Sequence, residues 1–219
     1  MTHGSINYVS LLENMLSYTG TTLLLFLVTL LIALPLGLLI SFGRMSRFSL
    51  LRVPIQFLLT VVRGTPLMLQ LIIFVYGPGL VFNLQDAPRL PLTFLAFGIN
   101  YACYFAEIYR GGIEGIPGGQ REASEALGFT RKQTFFRIVL PQVIKRILPA
   151  MSNEFMTLVK DTSLARVVAV IELLGYAQKL GNTHHSLIPL MISGVFYLIM
   201  NAIVSQCFAL AEKKLDYYR

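Results

Sequence analysis

Four ionisable residues stand inside or against strongly apolar sequence: Arg63, Glu154, Lys160 and Asp161. Ionisable groups within lipid are costly, and they face a bundle interior or a water-filled cavity. For Arg63 and Glu154 two roles compete. One is an internal salt bridge holding helices together, with Glu107 a further partner for Arg63; the other is a polar site within the membrane. For Lys160 and Asp161 the alternatives are an interfacial pair at a helix end and membership of that same site. No nucleophile and base, and no set of metal ligands, recur with a spacing that would serve an enzyme. His184 and His185 are adjacent, so on a helix they point in different directions, and no further Cys or His lies near them in sequence. They make a poor metal site. Cys103 and Cys207 both lie in apolar runs, where they read as small buried hydrophobes rather than a disulfide or zinc cluster.

The elements that must hold these residues are set by composition. The chain has 219 residues, 55 % hydrophobic and 13 % charged, with a mean hydropathy of +0.65. A soluble chain carries about a quarter charged residues. No Asp, Glu, Lys or Arg occurs from Asn14 to Gly43, from Gly64 to Gln85, from Leu90 to Ala106 or from Leu180 to Ala211. A spanning helix needs about 20 mostly apolar residues, so these runs predict four crossings of a membrane. The formal charge of +7 does not indicate nucleic acid, because the basic residues gather between apolar segments in a positive-inside pattern. Met1 to Tyr18 has no Lys or Arg ahead of the first apolar run, so no cleavable leader is apparent and that run is expected to remain as the first helix.

The crossings are placed at about 19–42, 53–76, 92–111 and 187–210. Pro35 and Gly37 are tolerable in the first, and Gly77, Pro78 and Gly79 are expected to end the second, ahead of a loop containing Asp86, Pro88 and Arg89. Parity then demands a fifth. Arg44, Arg47 and Arg52, the basic stretch about 112–137, and the tail with Lys213, Lys214 and Arg219 all read as cytoplasmic. An even number of crossings must therefore separate the central stretch from the tail. The missing helix is placed at about 141–160, where Lys145 and Arg146 snorkel to the interface and Glu154 lies about 20 Å from Pro141 at 1.5 Å per residue. This all-α arrangement of five spans puts the N-terminus outside and the C-terminus inside. Thirteen basic residues then face inward, Arg110, Arg121, Arg131, Lys132, Arg137, Lys145 and Arg146 joining the six above, against Arg89, Lys160, Arg166 and Lys179 outside. His184 and His185 fall in the external loop after Gly181, Asn182 and Thr183.

The central stretch reads as a short exposed helix with punctuated ends. Pro117, Gly118 and Gly119 break the chain, Glu122 to Leu127 favour a helix with acidic residues early, and Gly128 suits the position just past its end. Ala123, Ala126 and Leu127 form a small apolar stripe. It is sized for another protein's groove, or it lies on lipid headgroups. A second amphipathic run, Arg131 to Val139, precedes Pro141, itself a favourable early helix position.

Glu122-Ala123, Gly128, then nine residues before Ile138-Val139-Leu140-Pro141 resembles the signature loop of ATP-binding-cassette importer permeases. The pattern there is Glu-Ala-Ala, three residues, Gly, nine residues, Ile, any residue, Leu-Pro. Ser124 in place of the second Ala is the single departure. Arg63-Gly64-Thr65-Pro66-Leu67, Ala106-Glu107-Ile108-Tyr109-Arg110-Gly111-Gly112-Ile113, Ile116-Pro117-Gly118-Gly119-Gln120, Lys160-Asp161-Thr162-Ser163-Leu164 and Glu172-Leu173-Leu174 are similar to the polar amino acid permeases of that family, the histidine, glutamine and arginine permeases among them. The resemblance spans nearly the whole chain, from about Asn14 to Tyr218, read as a single permease domain.

It implies a type I importer of the bacterial cytoplasmic (inner) membrane. In such an assembly the short helix docks on an ATPase, and Gly119, Arg121, Glu122, Ala123, Ser124, Ala126, Leu127 and Gly128 carry that contact. The chain has no phosphate loop, so ATP and magnesium belong to a separate ATPase dimer and no cofactor is expected here. An extracytoplasmic solute-binding protein and a second permease copy or paralogue complete the set, within membrane lipid. Transport of an amino acid would occupy the buried charges, with Lys160 meeting the α-carboxylate, Asp161 the α-ammonium and Glu154 a cationic side chain, and Arg63 nearby. Arginine, lysine, ornithine or histidine would then be carried. The alternatives are a facilitative or ion-coupled carrier, for which internal repeats are wanting, and an intramembrane enzyme.

Overall fold

The computed structural model describes residues 8–83 and 88–215. The stretch before Tyr8, the loop residue Asp86 and the tail from Asp216 to Arg219 lie outside the described residues. Among the described residues nine α-helices follow one another, and no strand occurs. They are α1 (Tyr8–Arg44), α2 (Ser49–Gly64), α3 (Leu67–Phe82), α4 (Arg89–Glu114), α5 (Gly119–Ala126), α6 (Arg131–Thr134), α7 (Leu140–Asp161), α8 (Leu173–His184) and α9 (Ile188–Leu215). Among these, α1 and α9 are long and apolar enough to cross a membrane, and α2 with α3 forms a third such unit bent by 107°. Helices α4 (26 residues) and α7 (22 residues) are shorter and more polar.

The core is built on α1 and α4. Thr29, Ala33, Gly37 and Ser41 recur every fourth residue along α1 and are all buried. Gly98, Ala102 and Ala106 do the same along α4. Small residues on both faces let the backbones approach, which is how helices associate where lipid removes the hydrophobic drive between them. A Cβ added at Gly37 would lie 2.9 Å from the Ala102 carbonyl oxygen and 3.0 Å from the Phe105 Cβ. On the adjoining face of α4, Phe97, Tyr101 and Phe105 are almost wholly buried in the main apolar core.

Three expectations from the sequence are corrected. The second crossing is not one helix. Pro66 has no N–H and forces Thr65 into extended backbone, φ −119° and ψ 149°, so α2 stops at Gly64 and α3 starts afresh. Gly77-Pro78-Gly79 does not end it either. Pro78 lies inside α3, which stops at Asn83 in the left-handed region. The segment after Asp161 is likewise no simple loop. A 3₁₀ turn (Thr162–Val168) leads to α8, whose last turn holds His184, with His185 as its left-handed cap. Helix α1 also begins earlier than its charge-free run, burying Leu11 and Met15 and stacking Tyr18 on Tyr176 of α8 at 4.5 Å.

A buried carboxylate ties that end together. Glu172 is fully buried, and it caps α8 by accepting from the Leu174 and Gly175 N–H groups at 2.8 and 2.7 Å. The Tyr197 hydroxyl of α9 donates to it at 2.6 Å, while Leu173 N–H reaches Thr22 of α1 at 3.3 Å. The helix expected at about 141–160 is present as α7. The run Arg131 to Val139 is its continuation, α6 passing through one π turn (Phe135–Val139) into α7. Pro141 explains the wide turn, since its ring crowds the carbonyl of the preceding turn and it has no N–H to give.

Replacing Gly37 by Ala should cost about 1–3 kcal/mol through overpacking, whereas Gly20→Ala, with nothing within 4 Å, should be neutral or stabilising. Thermal unfolding of the detergent-purified chain checks this; equal melting temperatures for the two variants would refute the close α1–α4 seam.

Candidate functional site

The charged residues picked out by sequence are carried by α2, α4 and α7. Glu154 and Asp161 are seven residues apart on α7, which puts them on one face about 10 Å apart along the axis. Both are part-exposed. Asp161 accepts a hydrogen bond from the Tyr101 hydroxyl of α4 at 2.8 Å. Glu154 has no ion pair or hydrogen bond among the described residues. Lys160 is exposed and forms no ion pair with Asp161. The pair expected at the helix end is therefore replaced by Asp161 with a phenol.

Arg63 does find the carboxylate named for it. Its Nη1 lies 3.8 Å from Glu107 Oε2, and its guanidinium sits over the Tyr104 ring at 5.4 Å. Glu107 gathers two more arginines, Arg44 at 3.9 Å and Arg110 at 2.7 Å, and Arg110 also pairs with Glu114. Arg63 and Glu154 are not bridged to each other, so Glu154 is a part-buried carboxylate without a fixed partner among the described residues. Arg63 is aimed by the break after it. Gln70 of α3 donates back to the Val62 carbonyl at 2.8 Å, the Thr65 carbonyl at 3.2 Å and the Thr65 hydroxyl at 2.8 Å. Its own oxygen accepts from Asn100 of α4 at 2.9 Å. One buried amide thus satisfies carbonyls freed by Pro66 and fastens the bend to α4.

Tyr101, Tyr104, Asn100 and Gln70 are what charge counting misses. They carry no formal charge, so the apolar runs conceal them. For the three on α4 the signal is helical spacing: residues 100, 101, 104 and 107 bring polar atoms to neighbouring positions of one helix.

The exposed loop forms a second candidate surface. Helix α5 ends on a Schellman motif: Gly128 adopts φ +78°, its N–H reaches the Glu125 carbonyl and the Phe129 N–H reaches the Ser124 carbonyl, both at 3.0 Å. Ala123, Ala126 and Leu127 are exposed, Leu127 by 76 %. Gly119, Arg121 and Glu122 are exposed as well. Ser124 is 2 % exposed and bonds to the Gln120 carbonyl. The one departure from the signature pattern therefore faces inward, away from the exposed stripe. Arg146 of α7 donates to the Gly115 carbonyl at 2.6 Å, binding the root of the loop to that helix.

Long apolar helices together with an exposed capped helix fit a membrane transport subunit. The chain belongs to the family described as binding-protein-dependent transport system inner membrane component, whose model matches residues 33–217. It is a permease of the ATP-binding-cassette type. It is 37 % identical over 192 residues to the octopine transport system permease protein OccM of Rhizobium radiobacter, covering 82 % of this chain and 78 % of that one. The L-cystine permease protein TcyB of Bacillus subtilis is 36 % identical, with 90 % and 84 % covered. The arginine ABC transporter permease protein ArtM of Haemophilus influenzae is 34 % identical, with 89 % and 88 % covered. A solved amino acid ABC transporter described as "with histidines" superposes with a TM-score of 0.85 at 29 % identity, covering 96 % of this chain and 100 % of the other.

Gln70→Leu leaves the freed carbonyls and Asn100 unpaired in a buried place, at a cost of about 1–3 kcal/mol for each group orphaned. The purified variant should melt well below the parent, and Asn100→Leu introduced with it should recover part of the loss. A parent-like melting temperature for Gln70→Leu would show that the amide does not hold the bend.

Proposed function

We propose that the chain is one of two permease halves of an importer for cationic amino acids, with five spans, the N-terminus outside and the C-terminus inside. The observation carrying the substrate class is Glu154. It is a part-buried carboxylate with no partner among the described residues, on the same face of α7 as Asp161. An uncompensated carboxylate carries a desolvation penalty that a cationic side chain would offset. Asp161 then takes the α-ammonium and Lys160 the α-carboxylate, while Arg63, held by Glu107, keeps positive potential near Glu154. Relatives named for arginine and for octopine support amino acid transport of this kind. The relative named for cystine makes Glu154 the discriminating residue to test.

ATP and magnesium are assigned to an ATPase dimer docking on Gly119, Arg121, Glu122, Ala123, Ser124, Ala126, Leu127 and Gly128. Ala123, Ala126 and Leu127 make the apolar contact, and Ser124 holds the helix from within. A solute-binding protein delivers substrate at the opposite face, and a second copy or paralogue closes the path in the inner membrane.

Glu154→Gln should lower arginine uptake by about tenfold or more, as loss of a charge-assisted contact does, with less effect on glutamine, when both are measured in proteoliposomes. Unchanged arginine uptake and selectivity would remove the cationic assignment. Gly128→Val places a β-branched residue in left-handed backbone, where a side chain costs about 1–2 kcal/mol or more. Uptake should fall together with binding-protein-stimulated ATP hydrolysis while the chain still inserts; persistence of both would overturn docking through α5.

A further inference from the structure

Three arginines from separate segments converge on one cavity beside the capped helix. Arg47 comes from the turn after α1, Arg121 from α5 and Arg131 from α6. With Thr134, Phe135 and Val139 they line a space of about 390 Å³. All three arginines are exposed, and none forms an ion pair among the described residues. No carboxylate among the described residues lines the cavity. Three like charges around one space repel each other at close range unless an anion lies between them.

Thr134, another lining residue, supplies an independent observation. Thr134 is 6 % exposed, and its buried hydroxyl has no hydrogen-bond partner among the described residues. Buried polar groups are nearly always satisfied, and one that is not calls for an explanation such as a bound ion. Three guanidiniums lining one cavity with a threonine suit one ligand class, a tetrahedral oxyanion with several acceptor oxygens. Guanidiniums bind phosphate through paired N–H groups, and a threonine hydroxyl can donate to a further oxygen.

We infer that Arg47, Arg121, Arg131 and Thr134 form a phosphate-binding site, filled by a phospholipid headgroup or by free phosphate. Its occupant bridges the turn after α1 to α5 and α6. It thereby ties the exposed helix to the first membrane helix, and the site works whichever amino acid the chain carries.

The test uses the full chain with the subunits that purify with it, reconstituted in phosphatidylcholine nanodiscs. One arm adds phosphatidylglycerol to the discs and another adds inorganic phosphate to the buffer. Amide exchange over residues 119–139 is followed in each. Exchange should slow saturably in at least one arm. Arg47→Gln with Arg131→Gln should move the midpoint by about tenfold or more, and Thr134→Val by about threefold. Arg121 stays unaltered because it lies on the helix assigned to docking. Thr134→Val removes an orphaned hydroxyl, so it should melt no lower than the parent without anion, which separates lost binding from lost folding.

Slowing with phosphatidylglycerol alone identifies a headgroup, and slowing with inorganic phosphate identifies the free ion. No slowing in either arm, or slowing that survives the double substitution, overturns the site. So does an ATPase subunit that dissociates from the doubly substituted chain while neither anion has any effect, because the arginines would then face an acidic protein surface.

Discussion

The close approach of α1 and α4 fixes the positions of nearly everything else. Within lipid, apolar side chains gain nothing by leaving the solvent for one another, so helix pairing rests on packing and hydrogen bonds. The small residues at 29, 33, 37 and 41 on α1 and at 98, 102 and 106 on α4 bring two backbones together. That contact sets the rotation of α4. Asn100 is then turned toward the bend between α2 and α3, Tyr101 toward α7, and Glu107 toward the arginines of α1, α2 and α4 itself.

Polar groups divide sharply into those with assigned partners and those without. Glu172 has three donors, Gln70 serves three acceptors and Asn100, and Glu107 has its arginines. These contacts are structural: each closes a helix end or joins two helices. Glu154 and the Thr134 hydroxyl stand apart because folding leaves both without such a contact among the described residues. The Thr29 hydroxyl and the Asn201 side-chain oxygen are buried without a partner as well, but Glu154 carries a formal charge and Thr134 lies on a cavity lined by arginines.

Sequence reading captures what depends on composition and misses what depends on direction. Apolar runs locate α1, α4 and α9, and the parity of basic loops recovers α7 despite Lys145, Arg146 and Glu154. The spacing around Gly128 places its left-handed cap at the right residue. Hydropathy reports that residues 53–76 are apolar but not that Pro66 turns the chain by 107° within them. Helix α8 escapes because it is short, and its stability comes from Glu172 and from distant partners on α1 and α9. Tyr101 and Gln70 escape because uncharged polar side chains do not interrupt a charge-free run. The signal that pairs α1 with α4, a small residue at every fourth position, is present in both segments but hidden among the apolar residues around it.

The passage from α6 through the π turn into α7 has a mechanical meaning. From Arg131 to Asp161 the helical backbone is continuous through the π turn and past Pro149, a contour of about 46 Å at 1.5 Å per residue. One end adjoins the exposed α5, and the other holds the carboxylate bonded to Tyr101. A tilt of about 10° about either end sweeps the other through about 8 Å, more than one helical turn. The wide turn at Phe135–Val139 is the place along this run where such a stroke can be absorbed or passed on. The exposed α5 and the carboxylate bonded to Tyr101 thus stand at opposite ends of one unbroken run of helical backbone.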